Sequence, residues 1–331
     1  MLLKAGPREP ILEGTISGLF SKESQMNKQR IFLTGASGYI GSAVTARLVR
    51  AGHEVYGLTR TRPHARAIEA LGAKSVIADM SAIADYLGVL QNCDVAIHAA
   101  SDSEKGAAEQ ELHALEAFRQ SALDGRVRRV IYTSGVWVHG ASAGSVIDET
   151  SAFKPLELVS WRPAHEQIAL DLSSHEVATI VLRPGVVYGE GRGILGAWWA
   201  EAHEHKTITY PGPGSQHWPN VHRDDLAEAY ALALEHGKAG EAYLIADGSQ
   251  HTVLQMAEAA AAASGATAKS LPADELIKSY GLYGKALLND QIVSAAKAHR
   301  ELGWVPRHTS FVADAPQLWR EWLGTREAPV A

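Results

Sequence analysis

The stretch TGASGYIG, residues 34–41, constrains the fold of this 331-residue chain more than any other segment. It directly follows the apolar run RIFL and precedes SAVTARLVRAG, in which Val44, Leu48 and Val49 have helical spacing. Glycines three residues apart between a strand and a helix allow a tight turn, a close backbone approach and close helix packing. The segment therefore predicts a strand–turn–helix unit whose helix N-terminus is open toward a phosphate group.

Apolar segments that alternate with helical ones continue along the chain. HEVYGLTR, KSVIADM, CDVAIHAAS and VRRVIYTSG are typical of strands two to five, and ATIVLRPGVVYG of a sixth strand with its loop. Strands that are nearly all apolar and are separated by helices indicate a parallel sheet covered on both faces. Right-handed crossovers then predict an α/β fold with a doubly wound parallel sheet of the Rossmann type.

The pattern changes after Gly189. Residues 26–189 are the predicted dinucleotide-binding domain, and residues 190–331 predict a smaller substrate-binding region. We keep open that the sheet takes back a strand near residues 242–248. Residues 1–25 lack a compact apolar run, so we expect a weakly ordered extension rather than a signal peptide.

Composition narrows the partners and the compartment. The formal net charge of −6 disfavours nucleic acid and anionic membranes as partners. No apolar run approaches the roughly 18 residues that a membrane-spanning helix needs. Cys93 is the only cysteine, which favours a cytoplasmic location and a core role for this side chain. A metal site is not expected, because the pair His203 and His205 lacks the spacing of a zinc site.

The glycine turn predicts a bound dinucleotide, and the charges after the second strand favour NADP(H), with NAD(H) still possible. Thr59 stands where dinucleotide folds often place an acid for the ribose 2′-hydroxyl, and Arg60 and Arg62 follow it. A guanidinium binds a 2′-phosphate, which an acid would repel. The hydroxyl of Ser37 adds a donor to the same phosphate. The alternative is a solvated basic loop.

These motifs resemble the extended and atypical short-chain dehydrogenase/reductases of the NAD-dependent epimerase/dehydratase group, over roughly residues 30–325. TGASGYIG is similar to the family's glycine motif, ADM to its adenine contact, IHAAS to the segment beside the ribose, and LRPGVVYGEG to the nicotinamide loop. WPNVHRDDLAEAY and AKAHRELGWVPRH resemble two C-terminal signatures. The cofactor-binding residues expected from these motifs are Gly35, Ser37, Gly38, Tyr39, Ile40, Gly41, Arg60, Arg62, Asp79, Met80, Ala99, Ala100, Ser101, Thr133, His165, Pro184, Val186 and Val187.

The chain departs from the family at the residues that carry the chemistry. The family uses a serine or threonine after the fifth strand and a Tyr-x-x-x-Lys pair, in which tyrosine passes a proton and lysine lowers its pKa. Here Gly135 stands at the usual serine position with Ser134 before it, and SWRPAHEQ replaces the pair by Trp161 and His165. Trp161 has no titratable proton, whereas the imidazole of His165 can bind and release one.

Ser134 and His165 are therefore the candidate catalytic residues, and Trp161 is expected to shape the pocket. The four-residue spacing of Trp161 and His165 places both on one side of a helix. Pro163 between them requires that this helix begins nearby, because proline is tolerated in the first helical turn.

Three functions remain open from the sequence. The first is an NADP(H)-dependent oxidoreductase acting on a small substrate, with the proton taken from Ser134, His165, water or the substrate itself. The substrate is aromatic if tryptophans 137, 161, 198, 199 and 218 line its pocket. The second is a catalytically silent NADP(H)-binding sensor or regulatory protein. The third is an epimerase or dehydratase, whose transient oxidation suffers most from the loss of the tyrosine.

A homodimer is also expected, paired through the helices at residues 107–123 and 161–174. Isologous burial of both helices would form a two-fold four-helix contact. The apolar residues that motivate this expectation are Leu115, Phe118, Ile168 and Leu172.

Overall fold

The computed structural model describes residues 28–101 and 106–327, so the extension predicted for residues 1–25 lies outside the described residues. The strands are β1 Arg30–Thr34, β2 Glu54–Thr59, β3 Lys74–Ile77, β4 Val95–His98, β5 Arg129–Thr133, β6 Ala178–Pro184, β7 Val186–Tyr188, β8 Thr207–Pro211, β9 Asn220–His222, β10 Glu241–Ile245 and β11 Thr267–Leu271. The α-helices are α1 Tyr39–Arg50, α2 Arg62–Ala70, α3 Ile83–Leu90, α4 Ala107–Asp124, α5 Arg162–Asp171, α6 Gly193–His205, α7 Arg223–His236, α8 Val253–Ser264, α9 Ala273–Leu287, α10 Ala296–Leu302 and α11 Phe311–Glu327.

Seven of the strands form one parallel sheet in the order β10-β6-β5-β4-β1-β2-β3. The doubly wound fold predicted from the sequence is therefore confirmed. The strand order reverses between β1 and β4, and in such sheets ligands bind in the crevice at the carboxyl ends of these two strands. β10 lies at the edge of the sheet and pairs in parallel with β6.

Apolar clusters cover both faces of this sheet. Ile31 and Leu33 of β1 point to one face and pack in the cluster that includes α1 and α7, whereas Phe32 points to the other and packs with α3 and α4. This alternation follows from the two-residue period of a strand. Cys93 is fully buried in the second cluster, and burial raises its thiol pKa to about 12, as expected for a core residue.

A third cluster fills the C-terminal region. Trp198, Trp199 and Trp218 are buried there among α6, α8 and α11, with Trp199 stacked on Phe311 at 5.8 Å between ring centroids. These three tryptophans are core residues and do not line a substrate pocket. Residues 207–222, between α6 and α7, contain the short strands β8 and β9, which pair with β11 and β7.

Within residues 28–101 and 106–327, no helix combines the length and the apolar content that crossing a membrane requires.

Candidate active site

The glycine turn lies against the segment that follows β4. Gly35 has φ +75°, and a Cβ atom there would lie 2.6 Å from the Cα of Ala100. A Cβ on Gly41 would lie 2.0 Å from the carbonyl oxygen of Gly35. Gly38 is the N-cap of α1 and offers no side-chain cap, so the first backbone N–H groups of α1 remain for a ligand. Ser37, Tyr39 and Ile40 complete this turn.

The ends of β2 and β3 bring together two of the predicted adenosine-side residues. Arg60 follows buried Thr59 and is exposed, and Arg62 occupies the first position of α2. The pKa of Asp79 lies below its usual value, because the side chain and backbone N–H of Ser81 donate to it and Arg60 adds a positive charge. Arg60 and Asp79 therefore share one edge of the crevice.

The remaining predicted contacts lie around the same edge. Ala99, Ala100 and Ser101 follow β4 directly, and the backbone carbonyl of Met80 accepts a hydrogen bond from Tyr86. Pro184 ends β6, while Val186 and Val187 belong to β7.

Tyr39 joins the glycine turn to the loop after β7. Its hydroxyl donates to the carbonyl of Gly189 at 2.9 Å, and its own carbonyl accepts from Nε of Arg223 at 2.7 Å. The guanidinium of Arg192 lies 5.4 Å from the Tyr39 ring. The side chain of Tyr39 is thus a structural link rather than a free ligand for the cofactor.

Ser134 lies at the end of β5, where its hydroxyl is committed to a buried carboxylate. The hydroxyl donates to Glu166, which is 1% exposed and also forms a two-pronged ion pair with Arg183, with Nη2 to Oε2 at 2.6 Å. His139 accepts from the same guanidinium at 3.2 Å. The hydroxyl hydrogen of Ser134 is therefore engaged with Glu166 in this structure, and the catalytic role of Ser134 stays a prediction.

Trp161 and His165 face each other across the first turn of α5, as their spacing predicts. Their ring centroids lie 4.7 Å apart, and Pro163 occupies the first turn of the helix. His165 is buried, whereas Trp161 is partly exposed. Trp161 therefore covers His165 on the outer side.

A carboxylate that the sequence analysis missed holds His165 in place. Oε1 of Glu111 on α4 lies 3.0 Å from Nδ1 of His165, and the hydroxyl of Tyr132 donates to the same oxygen. Nε2 of His98 lies 3.4 Å from Oε2 of Glu111, without the alignment of a hydrogen bond. Nδ1 of His98 in turn lies 2.9 Å from the hydroxyl of Thr34, which ends β1.

Glu111 is an anion despite its burial. Burial alone would raise its pKa, but the contacts with His165 and His98 outweigh that effect, and its pKa lies at about 2. One signal in the sequence points to this residue: Glu111 lies four residues before Leu115 and seven before Phe118, on the apolar face of α4. A carboxylate on a buried face needs hydrogen-bonding partners.

Arg162, which no sequence motif singles out, follows Trp161 at the first position of α5. Nη1 of Arg162 donates to the backbone carbonyl of Thr133 at 3.2 Å, and its Cζ lies 4.8 Å from the Trp161 ring centroid. The hydroxyl of Thr133 is used inside the protein, since it shares hydrogen bonds with the carbonyl of His98 and the hydroxyl of Tyr230. The crevice therefore contains a half-buried guanidinium beside the histidine.

The family model for the NAD dependent epimerase/dehydratase family matches residues 31–246. The chain belongs to this family. It is thus an NAD(P)-binding oxidoreductase of the extended short-chain dehydrogenase/reductase type, as its motifs implied.

Individual relatives of this family member are distant. A 4-hydroxy-2-methyl-3-oxo-4-farnesyl-3,4-dihydroquinoline-1-oxide ketoreductase of Stigmatella aurantiaca is 27% identical over 229 residues, covering 66% of this chain and 69% of that protein. A 2-alkyl-3-oxoalkanoate reductase of Stenotrophomonas maltophilia is 24% identical over 253 residues, covering 72% and 76%.

Among solved structures, a dTDP-glucose 4,6-dehydratase of Streptomyces venezuelae with NAD bound superposes with a TM-score of 0.77. It is 21% identical, and the match covers 90% of this chain and 98% of the other. This likeness establishes the shared fold.

A second polar cluster of this family member lies at the start of α7. Three side-chain atoms that could bind a metal lie within 4.8 Å of one another, one each from His222, Asp225 and His308. No sequence motif predicts this cluster. The two imidazoles are stacked at 3.6 Å, Nδ1 of His222 accepts from the backbone of Asp224, and Nδ1 of His308 lies 2.9 Å from Asp314. Stacked imidazole rings direct their lone pairs into parallel planes rather than toward one point. The contacts of His308 with His222 and with Asp314 connect the start of α7 to α11.

Proposed function

We propose that this protein is an NADP(H)-dependent oxidoreductase that reduces the carbonyl group of a small apolar substrate, with His165 as the proton donor. The observation that carries this proposal is the buried pair of His165 and Glu111 at the carboxyl edge of β5. A carboxylate behind an imidazole fixes the ring and stabilises its protonated form, which is the arrangement that a histidine acid requires.

The positions of the residues suggest which of them bind the cofactor and which act on the substrate. When bound, NADPH supplies the hydride that reduces the carbonyl carbon. The glycine turn would hold its diphosphate, and Arg60 and Arg62 its 2′-phosphate. His165 gives a proton to the carbonyl oxygen from Nε2, while Glu111 keeps Nδ1 engaged. Trp161 shapes the apolar side of the pocket.

The names of the relatives support reduction of a ketone. The Stigmatella protein is a ketoreductase of a farnesylated 3-oxo compound, and the Stenotrophomonas protein reduces a 2-alkyl-3-oxoalkanoate. In both, an apolar group accompanies the ketone. Carbonyl reduction also needs only one proton transfer, which a single histidine can provide.

The preference for NADPH rests on Arg60 and Arg62, with Thr59 where an acid would bind a 2′-hydroxyl. A charged hydrogen bond contributes roughly 1.5–3 kcal/mol, so Arg60→Ala should weaken NADPH binding about tenfold or more and leave NADH binding unchanged. Calorimetric titration of the wild type and of Arg60→Ala with each cofactor measures this difference. Equal affinity of the wild type for NADPH and NADH would sink the preference.

The activity itself is tested by following NADPH absorbance with a panel of ketones that includes an alkyl 3-oxoalkanoate and an aromatic ketone. We expect ketone-dependent NADPH loss and formation of the matching alcohol. If NADPH binds tightly and no ketone accelerates its oxidation, the protein is the silent sensor that the sequence left open.

A further inference from the structure

We propose that Arg162 is the binding subsite for a substrate carboxylate, so that the substrates are apolar ketones with a carboxylate next to the reduced carbonyl, as in 3-oxo acids. This inference deepens the proposed function and depends on it for the identity of the reacting carbonyl.

The guanidinium of Arg162 is held in place but mostly unused. Its one hydrogen bond within the described residues goes from Nη1 to the carbonyl of Thr133 at 3.2 Å, whereas a guanidinium offers five N–H donors. The Trp161 ring, 4.8 Å from Cζ, supports its plane. Thr133 ends β5, so the free donors lie at the carboxyl edge of the sheet, where ligands of such folds bind.

Charge balance also points to an anionic ligand. Across residues 28–101 and 106–327, no carboxylate forms an ion pair with Arg162. The two nearby buried carboxylates are already used, since Glu111 binds His165 and Tyr132 and Glu166 binds Arg183 and Ser134. Glu111 interacts with Arg162 only through its charge, without a hydrogen bond or ion pair, so most of the guanidinium donors stay open. A ligand carboxylate would match the planar fork of the guanidinium with two parallel hydrogen bonds.

The position of Arg162 relative to the proton donor sets the spacing of the two substrate groups. Arg162 precedes His165 by three residues, so the two side chains leave neighbouring positions on one helix surface, about 4.5 Å apart along the axis. Neighbouring positions on one helical turn favour a substrate whose carboxylate lies close to the reduced carbonyl, as in a 3-oxo acid. A long alkyl or aromatic remainder would extend past Trp161.

The test uses a ligand that cannot be reduced, so that binding is measured without turnover. NADPH-loaded protein is titrated calorimetrically with 3-hydroxydecanoate and with its methyl ester. We expect the wild type to bind the acid more tightly than the ester, and Arg162→Gln to weaken the acid at least tenfold while the ester changes little. Arg162→Lys should retain part of the preference, and Arg119→Gln, a surface arginine paired with Glu116 on α4, should change neither ligand.

Three results would overturn the proposal: equal binding of acid and ester by the wild type, equal losses of both in Arg162→Gln, or a loss of NADPH affinity in Arg162→Gln and Arg162→Lys. Failure of the proposed function gives a different result, namely preferential binding of the acid without any NADPH oxidation when a ketone is supplied.

Discussion

Two buried glutamates, Glu111 and Glu166, contact the two candidate proton donors of this site in different ways. Glu166 forms an ion pair with Arg183 and accepts a hydrogen bond from the hydroxyl of Ser134. Glu111 forms no ion pair with an arginine among residues 28–101 and 106–327. It is contacted by the imidazole of His165 and the phenol of Tyr132, and the charge of Arg162 also lowers its pKa. In our proposal, the same residue type thus engages the hydroxyl of Ser134 and orients His165 as the acid. The sequence predicted the helix position of His165 but not its partner. His165 and Glu111 lie 54 positions apart on different helices, and no sequence periodicity connects residues so far apart.

Asp247 offers a test of burial at the level of one residue. Burial raises its pKa to about 6, helped by the negative charges of Asp314 and Asp225, from an ordinary value of 3.8. The folded protein binds the carboxyl proton of Asp247 more tightly than the unfolded chain does. Below pH 3.8 the carboxyl group is protonated in both states, so it costs no stability there. The cost grows as the pH rises and is complete above pH 6.

Asp247→Asn should therefore stabilise the protein at pH 8, by of the order of 2 kcal/mol, and by progressively less as the pH falls toward 4. Urea unfolding at several pH values measures this difference. A variant that is equally stable or less stable than the wild type at pH 8 would show that the ionised carboxylate carries no penalty.

At the scale of elements, the glycine turn is the part that sequence predicts best. Its constraints are local: a left-handed residue at Gly35 and close contacts at Gly41. Most strands of the main sheet are equally visible as apolar runs, because β1, β4, β5 and β6 are buried along nearly their whole length. The strands β7, β8, β9 and β11 were not. β7 and β9 have only three residues, and β8 and β11 lack a continuous apolar run, so pairing with distant partners decides their conformation.

Gly35→Ala tests the turn. The new Cβ would clash with the backbone of Ala100 in addition to straining a positive φ, so we expect a clear loss of thermal stability and at least tenfold weaker NADPH binding. Gly52→Ala is the matched control, because Gly52 has φ +90° and no atom within 4 Å of its Cβ position. It should cost about 1 kcal/mol of stability and leave NADPH affinity intact. Equal effects of both variants would contradict the close approach.

At the scale of the whole molecule, three of the four apolar residues that motivated the homodimer are buried within one protomer. Leu115, Phe118 and Leu172 are at most 3% exposed within one protomer, so they pack its own core. Helical periodicity alone does not show that α4 is buried against α3 as well as the sheet. The exposed apolar residues on these two helices are Leu112, Leu123 and Ile168.

The homodimer stays a prediction with this smaller surface. Light scattering at micromolar concentration should give twice 35.5 kDa. Ile168→Asp combined with Leu112→Asp should reduce the mass to one chain, because an isologous contact buries each substitution twice. A monomer mass for the wild type would reject the dimer.

The most direct test of the central claim is kcat/KM for NADPH-dependent ketone reduction in the wild type, His165→Gln and Glu111→Gln, measured across pH. Loss of the acid in His165→Gln should lower kcat/KM at least about a hundredfold. Glu111→Gln should lower it less, because the imidazole remains and only the carboxylate that orients its ring is lost. Full activity of His165→Gln, with the wild-type pH profile, would contradict the account and place the proton donor elsewhere.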